Sequence, residues 1–240
     1  MSQALSNIAR DHDRVAPRAA LHVEVIADLI CPFCYIGKRR LDTALHAVQG
    51  PYDVTWYPWQ LNPEMPDDGL GYEEYLTQRF GSPGNVEPIL DSLRREGRAD
   101  GIEFRFDRLK RVPNTLKAHQ LMYLAETEGH DQSSLADALM SAFFEHGMDI
   151  GDTNVLVDIA ASADLSADKV LRVIDDDKAR QMVLSREAKV RSSGITGVPG
   201  FLLNRRLLVI GAQEADAIVN AFDRAMFGEG TDELVSPALH

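Results

Sequence analysis

Cysteine is almost absent from this chain of 240 residues, which contains only Cys31 and Cys34. Basic residues are also scarce, since 25 lysines and arginines stand against 37 aspartates and glutamates and leave a formal net charge of −12. An acidic surface repels the phosphates of nucleic acids and the headgroups of anionic lipids. We therefore expect neither nucleic acid nor a membrane among the partners of this protein.

Long apolar segments are missing as well. No run of about eighteen apolar residues occurs, so the sequence predicts no transmembrane helix. The first twenty residues lack the apolar core of a secretory signal, because Asp11 and Asp13 interrupt it. We expect a cytoplasmic protein with loose tails over residues 1–20 and 229–240, in a compartment that keeps thiols reduced.

The two cysteines lie three residues apart in the segment "CPFC", and three kinds of site have this spacing. A structural disulfide is a weak explanation, since closing a loop of about four residues stabilises by only roughly 2 kcal/mol in the chain-entropy model. Zinc needs about four ligands, and the seven histidines are scattered with no closely spaced pair beside the cysteines. A redox-active pair is favoured over both, and no metal site is expected.

The residues around the cysteines support a redox role. The preceding "LHVEVIAD" (21–28) is rich in β-branched residues and predicts a buried strand, while "YIGKRRLDTALHAV" (35–48) has apolar residues at helical spacing. Pro32 suits the first helical position, which places Cys31 at the N-cap. Free N–H groups and the helix dipole favour a reactive thiolate there. Cys34, one turn further on, would be shielded and placed to resolve a mixed disulfide.

Strand patterns and helix patterns alternate along the rest of the chain. A second strand is expected over 52–61, helical patterns dominate from about 71 to 194, and two short apolar runs over 200–211 indicate a hairpin before a last helix. Without the long helical block, the order of strands and helices is that of the thioredoxin fold.

Several motifs together resemble the DsbA family of thioredoxin-fold oxidoreductases, and most closely its FrnE-like branch. They are "CPFCYIGKRRL", "LNPEMP", "PNTLKAHQLMYLA", "FFEHGMDIGD" and "GITGVPGFLLN" followed by "IGAQ", and they extend from about residue 22 to 225. The resemblance implies an α/β protein with a thioredoxin fold and a large all-helical insertion. The expected thioredoxin-like domain comprises residues 21–62 and 176–228, and the inserted helical domain residues 63–175.

The resemblance also implies roles for individual residues. Cys31 would be the attacking cysteine and Cys34 the resolving cysteine of a thiol-disulfide oxidoreductase. Pro32, Phe33 and the loop Val198–Pro199, with a cis peptide bond, would contact the substrate. The implied partners are protein or small-molecule thiols and disulfides, with no cofactor other than glutathione as a candidate co-substrate. The expected assembly is a monomer or a homodimer.

The sequence departs from the family pattern at two positions. Phe33 stands where the FrnE-like branch usually has tryptophan, which is a mild aromatic exchange. Thioredoxins and DsbA proteins carry a buried carboxylate six residues before the first cysteine, and Val25 stands there in this chain. Glu24 and Asp28 lie near that position but out of register. The family pattern therefore leaves open which group exchanges protons with the resolving thiol.

An alternative function comes from the same lineage. Glutathione-dependent enzymes of the 2-hydroxychromene-2-carboxylate isomerase and kappa-class glutathione transferase type use the same fold, but typically have a serine in place of the cysteine pair. The presence of both Cys31 and Cys34 favours the oxidoreductase. His119, His130 and His146 fall in the helical block, where we expect them on helix faces or as satisfied buried histidines.

Overall fold

The computed structural model describes residues 21–81, 83–228 and 234–235. Their strands form a five-stranded mixed sheet in the order β2–β1–β5–β6–β7 and a separate two-stranded sheet, β3–β4. The strands are β1 (Leu21–Ala27), β2 (Tyr52–Pro58), β3 (Leu70–Gly71), β4 (Arg111–Val112), β5 (Gly200–Leu203), β6 (Leu207–Ile210) and β7 (Leu234–Val235).

Strand β1 is the central element of the larger sheet. It pairs in parallel with β2 and antiparallel with β5. All of its residues except His22 are buried, as is expected for a strand that is covered on both faces. Its one acidic residue, Glu24, is fully buried and accepts a hydrogen bond from Arg205 Nε at 3.2 Å. Strand β1, which precedes the cysteines, is therefore held by its two neighbouring strands and by the hydrogen bond between Glu24 and Arg205.

Helices make up most of the remaining described chain. They are α1 (Pro32–Leu45), α2 (Tyr72–Phe80), α3 (Pro83–Ala99), α4 (Leu116–Glu128), α5 (Gln132–Phe144), α6 (Thr153–Ala161), α7 (Ala167–Asp175), α8 (Asp177–Ser192) and α9 (Ala215–Phe227). The thioredoxin arrangement of β1, α1, β2, β5, β6 and α9 with a long helical insertion confirms the predicted fold class. The insertion is not wholly helical, because it also contains the β3–β4 pair and a 3₁₀ turn at Phe106–Arg108.

The helices cover both faces of the sheet. Helix α8 lies over one face, where Val190 packs with Ile26 and Leu202. Helices α1 and α9 lie on the other face, and their core continues without a break into the helical insertion. Aromatic rings join α1 to that insertion: Tyr35 contacts Phe104 edge-on with ring centroids 6.1 Å apart. The helix that carries the cysteines is thus held by the sheet and by the insertion together.

The predicted tails are only partly within the described residues. Residues 1–20 lie outside them. In the predicted C-terminal tail, Leu234 and Val235 form strand β7, which pairs in parallel with β6. The expectation of a loose tail is therefore wrong for these two residues, where the edge of β6 offers unpaired backbone groups to an extended segment. Among the described helices, none is both long and apolar enough to cross a bilayer.

Gly37 allows α1 to approach the loop before β5. A Cβ atom at this position would lie 2.8 Å from Pro199 Cγ and 3.2 Å from Phe201 Cζ. Extra side-chain atoms in such a contact force neighbouring groups apart, at a cost of about 1–3 kcal/mol. We predict that Gly37→Val lowers the free energy of unfolding by that amount, measured by denaturant titration.

Gly197→Ala is the matched control, because a Cβ atom there would meet nothing within 4 Å. Its free energy of unfolding should stay within about 0.5 kcal/mol of the parent value. A Gly37→Val protein as stable as the Gly197→Ala protein would show that the close approach of helix and loop is wrong.

Candidate active site

The two cysteines lie where β1 passes into α1. Strand β1 ends at Ala27, and a short turn follows in which Cys31 N–H donates to the carbonyl oxygen of Asp28 at 3.3 Å. Cys31 has an extended backbone (φ −92°, ψ 115°) and is the N-cap, and Pro32 is the first helical residue. The predicted strand–cysteine–helix arrangement is therefore present in the structure.

The cysteines differ in their position on the helix. The carbonyl oxygen of Cys31 accepts hydrogen bonds from the N–H groups of Cys34 (3.0 Å) and Tyr35 (3.2 Å), so Cys34 belongs to the first turn. Cys31 stands at the helix end, where the dipole stabilises negative charge. Both thiols are free and buried, while Phe33 between them is 44% exposed and Pro32 is half-buried. Phe33 forms an apolar rim directly beside the dithiol.

The surroundings of Cys34 favour its protonated form. Burial is the largest cause that raises the pKa of the Cys34 thiol well above its ordinary value, followed by its hydrogen bond to Cys31 and the charge of that group. A hydrogen bond from the backbone of Asp28 lowers the pKa, and the negative charge of Asp28 raises it again. Cys34 is therefore a thiol that must lose a proton before it can act as a nucleophile.

The loop before β5 packs against the same helix. The Val198–Pro199 peptide bond is cis, as predicted. Pro199 is buried against Gly37, which follows Cys34 by about one turn, and its carbonyl oxygen accepts from Gly211 N–H at 2.8 Å. Val198 is half-buried, and none of the backbone hydrogen bonds among the described residues involves it. Direct contact of this loop with the two sulfur atoms stays a prediction.

A buried carboxylate lies beside the cysteines, although not at the family position. Val25 is buried and apolar, as the sequence indicates, but Asp28 is also fully buried. Its Oδ1 accepts from Leu29 N–H at 2.8 Å, and its Oδ2 accepts from Leu61 N–H at 2.7 Å. These bonds turn the side chain inward at the end of β1. The spacing rule of the family misses this residue because the turn after the strand decides where its side chain points.

His119 is a second residue whose position was not predicted. It lies on α4 in the helical insertion, is only 5% exposed, and places Nε2 at 3.3 Å from Asp28 Oδ1. This contact lacks hydrogen-bond geometry, and Nε2 has no hydrogen-bond partner among the described residues. The expectation of a helix-face or satisfied histidine is therefore wrong for His119. The motif "PNTLKAHQ" contains it, but nothing in the sequence pairs it with Asp28.

The described residues contain no cluster of three or more histidine, cysteine or acidic side chains that could hold a metal ion. What the site does contain is a pair of thiols in unequal surroundings at the start of a helix, next to a cis-proline loop. Such an arrangement can attack a disulfide with one sulfur and resolve the product with the other.

Among models of protein families, one matches nearly the full length of the chain. The model of the DSBA-like thioredoxin domain matches residues 22–223. The chain belongs to this family. The match contains both parts of the thioredoxin fold and the insertion between them, so the insertion is part of the family architecture.

Solved structures give the same result. The probable DsbA oxidoreductase SCO1869 from Streptomyces coelicolor is 30% identical, with a TM-score of 0.78 over 90% of this chain and 94% of that chain. Two more distant proteins share the fold over 85% of this chain and 95% of theirs. They are a 2-hydroxychromene-2-carboxylate isomerase (13% identity, TM-score 0.63) and the cytosolic disulfide reductase DsbM from Pseudomonas aeruginosa with GSH (18%, 0.54). These two likenesses show that the fold is shared.

The unequal surroundings of the thiols predict unequal alkylation. Because its raised pKa keeps Cys34 protonated through neutral and mildly alkaline pH, iodoacetamide should label Cys31 well before Cys34 in the folded, reduced protein. Peptide mapping by mass spectrometry at pH 7–9 measures both sites. The same protein unfolded in urea is the control and should be labelled at both. Equal labelling rates in the folded protein would contradict the assignment.

Proposed function

We propose that this protein is a thiol-disulfide oxidoreductase in which Cys31 attacks and Cys34 resolves. The observation that carries the proposal is the placement of the two thiols: Cys31 is the N-cap of α1, and Cys34 is buried one turn behind it with a raised pKa. Helix N-termini stabilise the thiolate that disulfide exchange requires, whereas burial opposes it. This difference in position is why we assign attack to Cys31 and resolution to Cys34.

In the first step, the Cys31 thiolate attacks one sulfur of a substrate disulfide. A bond forms between Cys31 and that sulfur, the substrate disulfide breaks, and the second substrate sulfur leaves as a thiolate. The product is a mixed disulfide between Cys31 and the substrate. Phe33, exposed beside the dithiol, offers an apolar surface to the bound substrate.

In the second step, Cys34 loses its proton and its thiolate attacks Cys31 Sγ. The mixed disulfide breaks, the substrate leaves as a thiolate, and a Cys31–Cys34 disulfide remains. The substrate gains two electrons and the dithiol loses two. The reverse sequence of steps oxidises a dithiol substrate, so the same site serves both directions according to the redox state of its partners.

The loop with the cis peptide bond is the second part of the proposed substrate site. The N–H and C=O of Val198 are available to an extended substrate chain, since no backbone hydrogen bond among the described residues uses them. Main-chain pairing gives affinity with little dependence on sequence, which suits varied protein disulfides. We propose that Pro32, Phe33, Val198 and Pro199 contact the substrate.

Glutathione is the small-molecule thiol that we propose as a co-substrate, acting in the cytoplasm. The disulfide reductase DsbM, which has the same fold, has a structure with GSH, and this supports the proposal. The alternative of a glutathione-dependent isomerase or transferase is supported by the shared fold of the isomerase. Retention of both cysteines favours the oxidoreductase.

Trapping of mixed disulfides tests the roles of the two sulfurs. Cys34→Ala removes the resolving thiol, so this variant should accumulate a mixed disulfide with oxidised glutathione or with a protein substrate. Cys31→Ala removes the attacking thiol and should form none. Non-reducing gels and intact-mass spectrometry distinguish the two products.

The double variant Cys31→Ala/Cys34→Ala is the matched control. It has no cysteine left, so any adduct that it forms would not be a disulfide of this chain. Equal trapping by the two single variants would show that the division of roles is wrong. No adduct with either variant or with the parent protein would contradict the oxidoreductase function itself.

A further inference from the structure

Two loops flank the cysteines at one edge of the larger sheet. Strands β1 and β2 are parallel, so both end at this edge, and β5 is antiparallel to β1, so it begins there. The turn that leads from β1 to Cys31 therefore lies between the 60–65 loop, which follows β2, and the Val198–Pro199 loop, which precedes β5. The exchange reaction gives the 60–65 loop no role.

Helix α8 holds the start of the 60–65 loop with two charged side chains. Glu187 is 4% exposed, and its Oε1 accepts from Gln60 N–H at 2.8 Å. Arg191 donates to the carbonyl oxygen of Gln60 through Nη2 and to Glu187 Oε1 through Nε. Its guanidinium lies over Trp59, 4.0 Å from the ring centroid. Both backbone polar groups of Gln60 are therefore bonded to charged groups, which form stronger hydrogen bonds than neutral ones.

The helical insertion holds the loop through Asn114. The side-chain oxygen of Asn114 accepts from Gln60 Nε2 at 3.2 Å and from Leu116 N–H at 2.9 Å. Its Nδ2 donates to the carbonyl oxygen of Met65 at 2.7 Å. Gln60 is only 2% exposed, so its amide depends on a partner within the protein. Both ends of the 60–65 loop are thus held by side chains from other parts of the chain.

The loop is also bonded to the turn that carries Cys31. Leu61 N–H donates to Asp28 Oδ2 at 2.7 Å, and the carbonyl oxygen of Asp28 accepts from Cys31 N–H at 3.3 Å. Leu61 is half-buried and packs, like Val198, against the cores on both faces of the sheet. A chain that lies across Cys31 and contacts Val198 on one side therefore meets the 60–65 loop on the other.

The loop offers main-chain groups and a groove to such a chain. None of the backbone hydrogen bonds among the described residues involves Glu64, so its N–H and C=O are available to an extended segment. A groove of about 540 Å³ lies between the loop and α2, and its lining includes the buried Met65 and the half-buried Leu70 and Tyr75. Main-chain pairing beside a pocket for side chains is a common way to bind an extended polypeptide.

We propose that the 60–65 loop is the second side of the substrate site, and that Arg191 and Asn114 are the positioning residues that hold it for polypeptide disulfides. The inference rests on the proposed exchange reaction and names polypeptides as substrates of that site. The bonds that form and break are those of the exchange reaction. The loop adds contacts to the substrate chain on the side away from Val198, and a disulfide of a few atoms reacts without them.

The test compares a polypeptide disulfide with a small one. The first substrate is the symmetric disulfide of a short, uncharged and unstructured peptide with a central cysteine, and the second is 2-hydroxyethyl disulfide. Reduced protein is mixed with increasing concentrations of either substrate, quenched with acid and analysed by mass spectrometry. These data give the half-saturating concentration and the limiting rate of dithiol oxidation. Alkylation by iodoacetamide measures the reactivity of Cys31 without any substrate chain.

Arg191→Lys keeps the charge beside Glu187 but removes the planar guanidinium that reaches Gln60 at the same time. The half-saturating concentration of the peptide disulfide should rise about tenfold, the effect of one lost hydrogen bond to a charged group. Its limiting rate should be unchanged, because the loop contributes to binding and not to the sulfur chemistry. The rates with 2-hydroxyethyl disulfide and with iodoacetamide should equal those of the parent protein.

Arg186→Lys is the matched control. Arg186 lies on the same helix, is ion-paired with Glu126 and lies over the ring of Tyr123. These contacts are of the same kinds as those of Arg191, but they lie outside the 60–65 loop. All three assays should give the parent values in this variant.

Asn114→Asp tests the other end of the loop with Arg191 intact. The carboxylate still accepts from Gln60 and Leu116 but cannot donate to Met65. This variant should show the same rise for the peptide disulfide alone. It replaces Arg191→Lys in the test if that variant lowers the folded fraction.

An unchanged half-saturating concentration of the peptide disulfide in both variants would overturn the inference. An equal loss of rate with both disulfides and with iodoacetamide would also overturn it, because that is the result of general structural damage. A parent protein that exchanges with neither disulfide would overturn the proposed exchange reaction itself. A parent protein that exchanges with both, beside two unaffected variants, would overturn the role of the loop alone.

Discussion

The carboxylate of Asp28 has no contact with solvent, so its charge and its oxygen atoms must be satisfied by the protein. Leu29 N–H and Leu61 N–H provide two hydrogen bonds. The first fixes the turn that leads into Cys31, and the second ties this turn to the segment after β2. His119 approaches the same carboxylate from the helical insertion. Three separate parts of the chain are therefore positioned around one buried charge, directly beside the cysteines.

The two cysteines in one turn of helix acquire different chemistry from their positions. Cys31 is placed at the helix end, where backbone N–H groups favour a thiolate. Cys34 is enclosed by the core, and burial is the largest cause that raises its pKa and keeps it protonated, followed by its hydrogen bond to Cys31. The difference comes from position, since both residues have the same side chain. Both thiols are buried, and Phe33 between them is exposed.

Local patterns correctly predict strand β1, helix α1 and the position of the cysteines between them. The prediction depends on β-branched residues, an N-cap and Pro32, which lie within a few residues of one another. The cis bond before Pro199 was predicted from the family resemblance alone, since most X–Pro bonds are trans. Strand β3 and the strand at Leu234–Val235 were missed, because two-residue strands have no periodicity to detect. The pairing of Asp28 with His119 was missed for a different reason. It depends on the way in which the insertion folds back on the sheet, and local spacing carries no information about that.

A thiol-disulfide oxidoreductase exchanges disulfides through its own dithiol, whereas an isomerase or transferase of the same lineage activates bound glutathione. Reduction of insulin by dithiothreitol and reactivation of scrambled ribonuclease, measured beside glutathione conjugation, distinguish the two functions. We expect that the parent protein accelerates both disulfide reactions, that Cys31→Ser abolishes the acceleration, and that neither protein conjugates glutathione. Glutathione conjugation that persists in Cys31→Ser, with no disulfide activity in the parent protein, would contradict the proposed function.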